Sequence, residues 1–180
     1  MKDVLFSSRS EEWETPIDLY CLLDGEFRFT LDPCATEKNR KCQKYYTKED
    51  DGLQQDWGGH TVFCNPPYGK KIGDWVRKCY EESKKENTIV VLLIPARTDT
   101  AYFHDYIYGR SEIRFLRGRL KFGNSKNSAP FPSMIVVFRP DCKKCSKCDY
   151  FRICSGCKHN NQWWKCSVFE KKNIDFQRKF

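Results

Sequence analysis

Apolar positions along residues 13–140 follow two periods, and the switches between them predict the elements. Residues 88–94 form an almost unbroken apolar run stopped by Pro95, the pattern of a strand covered on both faces. Ile72, Trp75, Val76, Cys79 and Tyr80 recur at helical spacing as one stripe, which gives way to the polar run 81–87. Shorter runs predict strands over 27–31, 43–47, 61–64, 112–116 and 133–138, and helices over 16–23 and 99–108. Thr15 is placed to cap the first helix, with Pro16 at its first position and Asp18 three residues after the cap. Residues 118–123 alternate between bordering glycines and read as a short hairpin strand, and 124–132, rich in Ser, Asn and Pro, as a loop.

Strand and helix thus alternate, which predicts an α/β fold with a mostly parallel sheet flanked by helices. Ligands of such sheets bind outside the carboxyl ends of the strands, where Asp32 and Asn65 both fall. Past Arg139-Pro140 the periodicity stops, so the chain divides into a main domain, 1–140, and a cysteine-rich module, 141–180.

With 180 residues, 39 % hydrophobic and 15 % aromatic, the chain can bury one substantial core. No run approaches the length of a membrane span and no signal pattern opens the sequence, so a cytoplasmic protein with no membrane partner is expected. Residues 1–140 carry 22 Lys and Arg against 20 Asp and Glu, whereas 141–180 carry 10 against 4. Within the first part, Arg110, Arg114, Arg117, Arg119, Lys121 and Lys126 face a single acid, Glu112. Two basic regions point to a polyanion, because neutralising phosphates releases counterions. Five of the 11 cysteines, Cys21, Cys34, Cys42, Cys64 and Cys79, are scattered as small buried hydrophobes would be.

The chemistry centres on Asn65-Pro66-Pro67-Tyr68, directly after Thr61-Val62-Phe63-Cys64. The prolines remove two backbone donors and hold Asn65 extended, so the site presents the Asn65 carboxamide and the Pro66 carbonyl as acceptors. Two acceptors suit a flat group carrying an amine, and the Tyr68 ring adds a stacking face worth roughly 1 to 3 kcal/mol.

This tetrapeptide resembles the catalytic motif of S-adenosylmethionine-dependent amino methyltransferases, in its adenine-N6 form. Trp13-Glu14-Thr15-Pro16, Leu31-Asp32-Pro33-Cys34-Ala35, Asp56-Trp57, the tetrapeptide and Gly118-Arg119-Leu120-Lys121-Phe122 stand in the order expected of phage-type DNA N6-adenine methyltransferases. The resemblance implies a Rossmann-like methyltransferase sheet, S-adenosylmethionine as cofactor and double-stranded DNA, with its target adenine flipped out, as partner. Asn65, Pro66, Pro67 and Tyr68 become the catalytic residues. Trp13, Thr15 and Pro16 form the N-terminal cofactor motif, and Asp32, Pro33 and Cys34 lie against the amino-acid end of the cofactor. Glu49 or Asp50 faces the ribose hydroxyls and Asp56 the adenine edge. The family pattern places glycines after Asp-Pro, where this chain has Ala35-Thr36-Glu37-Lys38. Arg117, Arg119 and Lys121 are candidate phosphate contacts, Arg119 equally a tie between strand ends. A phage-encoded protein of this kind works in the cytoplasm of a bacterial host. The same site serves an RNA-adenine or protein-glutamine methyltransferase, and the fold alone serves a non-catalytic nucleic-acid-binding protein.

The module 141–180 packs six cysteines into 25 positions, as Cys142-x2-Cys145-x2-Cys148-x5-Cys154-x2-Cys157-x8-Cys166. Each CxxC step aims two thiolates at one ion, so structural zinc is expected on Cys145, Cys148, Cys154 and Cys157, with Cys142, Cys166 and His159 as rivals. An iron–sulfur cluster is the alternative. Lys143 and Lys147, interleaved with the ligands, and Trp163-Trp164 suit nucleic-acid contact.

Overall fold

The computed structural model describes residues 13–123, 125 and 127–140. Six strands, β1 (Leu31–Asp32), β2 (Lys44–Tyr45), β3 (Thr61–Cys64), β4 (Ile89–Pro95), β5 (Glu112–Phe115) and β6 (Ser133–Phe138), form one sheet in the order β2-β1-β3-β4-β6-β5. β2, β1, β3 and β4 pair in parallel, and β6 lies antiparallel between β4 and β5. The α/β class therefore holds, but the expected mostly parallel sheet is mixed at one side. Among the described residues between β5 and β6 there is no crossover helix, and a chain that returns without one pairs antiparallel.

Two helices cover opposite faces. α1 (Ile17–Phe27) buries Leu19 and Leu23 against Phe63, Val91, Leu93, Ile135 and Val137. α2 (Ile72–Glu82) buries Ile72, Trp75, Val76 and Cys79 against Val90, Leu92, Ile94, Met134 and Val136. Odd and even positions of β4 thus feed different cores, which is why its sequence shows no polar alternation. Truncating one of these fully buried residues, such as Leu93 to Ala, is expected to cost about 2–5 kcal/mol.

Several expected elements differ. α1 runs on to Phe27 and stops at Arg28, whose φ of 56° ends the helix with its N–H on Asp24 O. The strand expected over 27–31 shrinks to Leu31–Asp32, because Phe27 and Phe29 leave the ladder to join an aromatic cluster with Tyr20 and Phe63. The helix over 99–108 is short and closes in a π-helical turn, Phe103–Ile107. Residues 118–123 form no strand; Ala129 N–H bonds Leu120 O and Gly123 N–H bonds Glu14 O, so the segment is tied down as a loop beside Trp13. Cys42, Cys64 and Cys79 are buried and Cys34 half-buried, but Cys21 is exposed.

The basic stretch also changes. Arg114 is 3 % exposed and forms ion pairs with Glu26 of α1 and Glu112, and Glu112 also pairs with Arg139. It is a core link between α1, β5 and the end of β6, while Arg110, Arg117, Arg119 and Lys121 remain on the surface. Among the described residues no helix is long and apolar enough to cross a membrane.

Candidate active site

β1 and β3 are parallel neighbours, Leu31 opposite Val62, so Asp32 and Asn65 emerge at the same edge of the sheet. The Asn65 carboxamide is held on every side. Its Nδ2 donates to Trp13 O at 2.5 Å and to Thr15 Oγ1 at 2.9 Å, and Tyr68 Oη donates to its Oδ1 at 2.8 Å. A carbonyl oxygen can only accept, so Trp13 O dictates that the NH2 faces it and Oδ1 faces Tyr68. Oδ1 keeps a second lone pair. Tyr68 Oη also lies 3.3 Å from Leu93 O, and burial pushes its phenol well above the ordinary range, so the hydroxyl stays protonated as a donor.

Thr15 does not cap α1. Pro16 occupies the cap position with no side-chain hydrogen bond, while the Thr15 hydroxyl, buried at 4 % exposure, serves Asn65. Around Tyr68 stand Trp13, stacked at a centroid distance of 6.4 Å, and Phe122 and Phe131, edge-on at 6.1 and 5.6 Å. Neither phenylalanine was marked by the sequence as a site residue; Phe131 lies in the Pro-rich stretch that reads only as a loop.

Asp32 is 5 % exposed. Its carboxylate accepts from Lys41 N at 3.1 Å and Cys34 N at 3.4 Å, and among the described residues no lysine or arginine forms an ion pair with it. Burial pushes its pKa up to about 6, with the two main-chain N–H groups and, less strongly, the Lys41 charge pulling the other way. The glycine-free turn that follows is closed by side chains: Thr36 N–H bonds Asn39 Oδ1 at 2.7 Å and Asn39 N–H bonds Thr36 Oγ1 at 3.2 Å. Cys34 joins the two motifs, with its Sγ 3.7 Å from Cys64 Sγ and the Asn65 N–H directed at it. Burial raises both thiols above the ordinary range, so neither is poised as a nucleophile.

Gly52 is a residue the sequence reading missed. A Cβ there would lie 2.0 Å from Pro33 O and 3.2 Å from the Trp75 ring, so only glycine lets this segment pack on the Asp32-Pro33 turn. The signal was the glycine in Asp50-Asp51-Gly52. Asp50 itself lies after β2 and is exposed; its Oδ2 accepts from Thr47 N and Oγ1 at 2.8 and 2.9 Å, which holds it below the usual carboxylate range. Glu49 is also exposed and held low, first by its own backbone N–H.

The structure does not bring Asp56 to this edge. It pairs with Lys85 Nζ at 2.7 Å and Gly58 N at 2.8 Å, and these bonds, Lys85 first, lower its pKa to about 2. Its neighbours bond Glu82 and Thr88, just ahead of β4, so Asp56 sits at the amino ends of β3 and β4. Trp57 is core, with its Nε1 on Gly52 O. Arg119 reaches Ala129 O at 3.4 Å, a loop tie with no ion pair among the described residues, and Arg117 and Lys121 are exposed. Cys142, Cys145, Cys148, Cys154, Cys157, His159, Cys166, Lys143 and Lys147 lie outside the described residues; among those described, no group of three or more His, Cys, Asp or Glu could hold a metal.

A buried acid after the first strand, and an acceptor-bearing Asn-Pro-Pro-Tyr turn after its neighbour, on a six-stranded sheet with one inverted strand, fit a methyltransferase-like α/β fold. The chain belongs to the DNA N-6-adenine-methyltransferase (Dam) family, whose sequence pattern matches residues 4–155. It is 34 % identical over 110 residues to the DNA N-6-adenine-methyltransferase of Escherichia phage T1, a match that covers 60 % of this chain and 45 % of that relative's length. It is 29 % identical over 141 residues to the DNA N-6-adenine-methyltransferase of Haemophilus phage HP1, covering 74 % of this chain and 81 % of that protein.

Proposed function

We propose that this chain transfers a methyl group from S-adenosylmethionine to the N6 amine of adenine in DNA, with the adenine flipped out of the duplex. The observation that carries the reading is the Asn65 carboxamide, fixed with both N–H groups turned inward and an oxygen lone pair left over. An adenine amine donating to that oxygen and to Pro66 O has its nitrogen lone pair drawn out of the ring and aimed, so positioning supplies much of the rate. Tyr68 offers the stacking face, which helps offset the few kcal/mol of unstacking. No general base is required before transfer, because the nitrogen releases its proton to solvent once it has gained the methyl group.

The residues present fit the methyl donor. Asp32 is a buried carboxylate that no lysine or arginine among the described residues pairs with, at the edge it shares with Asn65, a place suited to a cationic ammonium. Trp13 and Pro16, with Asp32, Pro33, Cys34 and Asp50, would hold S-adenosylmethionine, which supplies an electrophilic methyl group when bound. Arg117 and Lys121 would contact DNA phosphates, joined by Lys143 and Lys147 of the C-terminal module. Zinc on Cys145, Cys148, Cys154 and Cys157 is supported by spacing alone.

Incubation with methyl-labelled S-adenosylmethionine and unmethylated duplex DNA, followed by nucleoside analysis, tests the reading. N6-methyladenine is expected from wild type; none from wild type, or as much from Asn65→Ala, overturns it. Equal amounts of RNA and of a glutamine-containing peptide as competitors decide the polymer.

A further inference from the structure

We propose that Thr15 is a positioning residue for Asn65, acting on the carboxamide through its hydroxyl. The proposal rests on the methyl-transfer reading only for its kinetic consequence. Thr15 Oγ1 is 2.9 Å from Asn65 Nδ2, and the two residues are 50 positions apart in sequence, so the bond is tertiary and cannot be a by-product of local turn geometry. The hydroxyl has no duty as a helix cap, since Pro16 holds that position.

The geometry divides the work between two neighbours. Trp13 O accepts one amide proton and thereby sets which end of the carboxamide points inward. The second proton would then be left without an acceptor, and the buried Thr15 hydroxyl supplies one. With both protons consumed, Asn65 shows an incoming amine an acceptor and no competing donor. Tyr68 Oη fixes the remaining torsion from the other side through Oδ1. Removal of the Thr15 hydroxyl takes away the acceptor of that half-buried N–H, and the amide gains a reason to rotate toward other acceptors. A direct cofactor contact, the role that the family resemblance implies for Thr15, predicts a different phenotype.

Thr15→Val is near-isosteric and removes the hydroxyl; Thr15→Ser keeps it. The expected result for Thr15→Val is a kcat reduced about tenfold at saturating cofactor and DNA, the equivalent of one lost hydrogen bond, with S-adenosylhomocysteine affinity by calorimetry within about twofold of wild type. Thr15→Ser is expected to restore kcat. In parallel, the Asn65 side-chain amide protons, observed by 15N NMR, exchange slowly in wild type and Thr15→Ser, and at least one exchanges faster in Thr15→Val. If Thr15→Val does not fold, Thr15→Ala carries the same comparison. The proposal is overturned if the hydroxyl-free variant weakens S-adenosylhomocysteine binding with kcat intact, or if the Asn65 amide protons are indifferent to the substitution. The NMR arm needs no turnover, so a wild type that makes no methyladenine defeats the methyl-transfer reading and leaves the lock to be judged by exchange.

Discussion

At the amino-terminal end of β3 and β4, acids meet lysines: Asp56 pairs with Lys85 at 2.7 Å, and Glu82, 4 % exposed, receives Lys78 and Lys85 at 2.6 Å together with Trp57 N–H. At the carboxyl end of β1 and β3, Asp32 is almost as buried, yet its hydrogen bonds come from main-chain N–H groups and, among the described residues, no lysine or arginine forms an ion pair with it, Lys41 acting only through its more distant charge. Burial pushes both buried carboxyls up, but at Glu82 the two lysines and the Trp57 N–H bring the balance below the usual value, while Asp32 stays raised at about 6. The amino end is a finished ion-pair network that staples α2 to the segment before β3. At the carboxyl end a buried carboxyl with no ion pair among the described residues shares an edge with a carboxamide that has a spare lone pair, which is the mark of a site that expects a ligand.

The largest expected effect falls on Asn65. Asn65→Ala should lower methyl transfer by about 10³-fold, as removal of a positioned charge-stabilising group does, with S-adenosylhomocysteine affinity nearly unchanged. Asp32→Asn comes next, with cofactor affinity expected to fall about 10-fold to 100-fold by calorimetry, the loss of one charge-assisted contact. Its pH dependence sharpens the point. Because the folded pKa of Asp32, about 6, exceeds the unfolded one, the native state binds the extra proton between the two values. This group's stability contribution is therefore present at low pH and is lost as pH rises toward about 6. Cofactor affinity runs the other way, weakening by up to about tenfold per unit as pH falls below 6, and Asp32→Asn should abolish that slope.

Gly52→Ala should destabilise the fold by about 1–3 kcal/mol in denaturant melts, because its Cβ meets Pro33 backbone and neither side can yield freely. At the opposite end, Glu82→Gln should lower stability by roughly 1–2 kcal/mol without touching cofactor affinity. Asp56→Asn is expected to do least, a small salt-sensitive loss of stability and no change in cofactor binding. A cofactor defect in Asp56→Asn would break the comparison between the two ends.

How much of this was legible in the sequence depended on the range of the interaction. The covered strand β4 and the α2 stripe were readable because burial on both faces, or on one, leaves a local period. The inverted direction of β6 was not, since pairing sense is set by how the chain returns between residues 116 and 132 and leaves no mark on the strand's own residues. Asp32 and Asn65 could be placed on one edge because both end apolar runs. The place of Asp56 could not, because the sequence does not show that Lys85, 29 positions away, would claim it. Thr15 misled for a related reason: its residue type fits a cap, and only the fold reveals that Asn65 takes its hydroxyl.

The central claim, that ligand chemistry belongs to the carboxyl end of the sheet, is tested most directly by mapping backbone amide shifts on titration with S-adenosylhomocysteine. Shifts are expected at residues 13–15, 32–34, 50–53 and 65–68, with residues 56–60 and 82–88 unmoved. Shifts confined to the Asp56–Lys85 end, or none anywhere at saturating ligand, would contradict it.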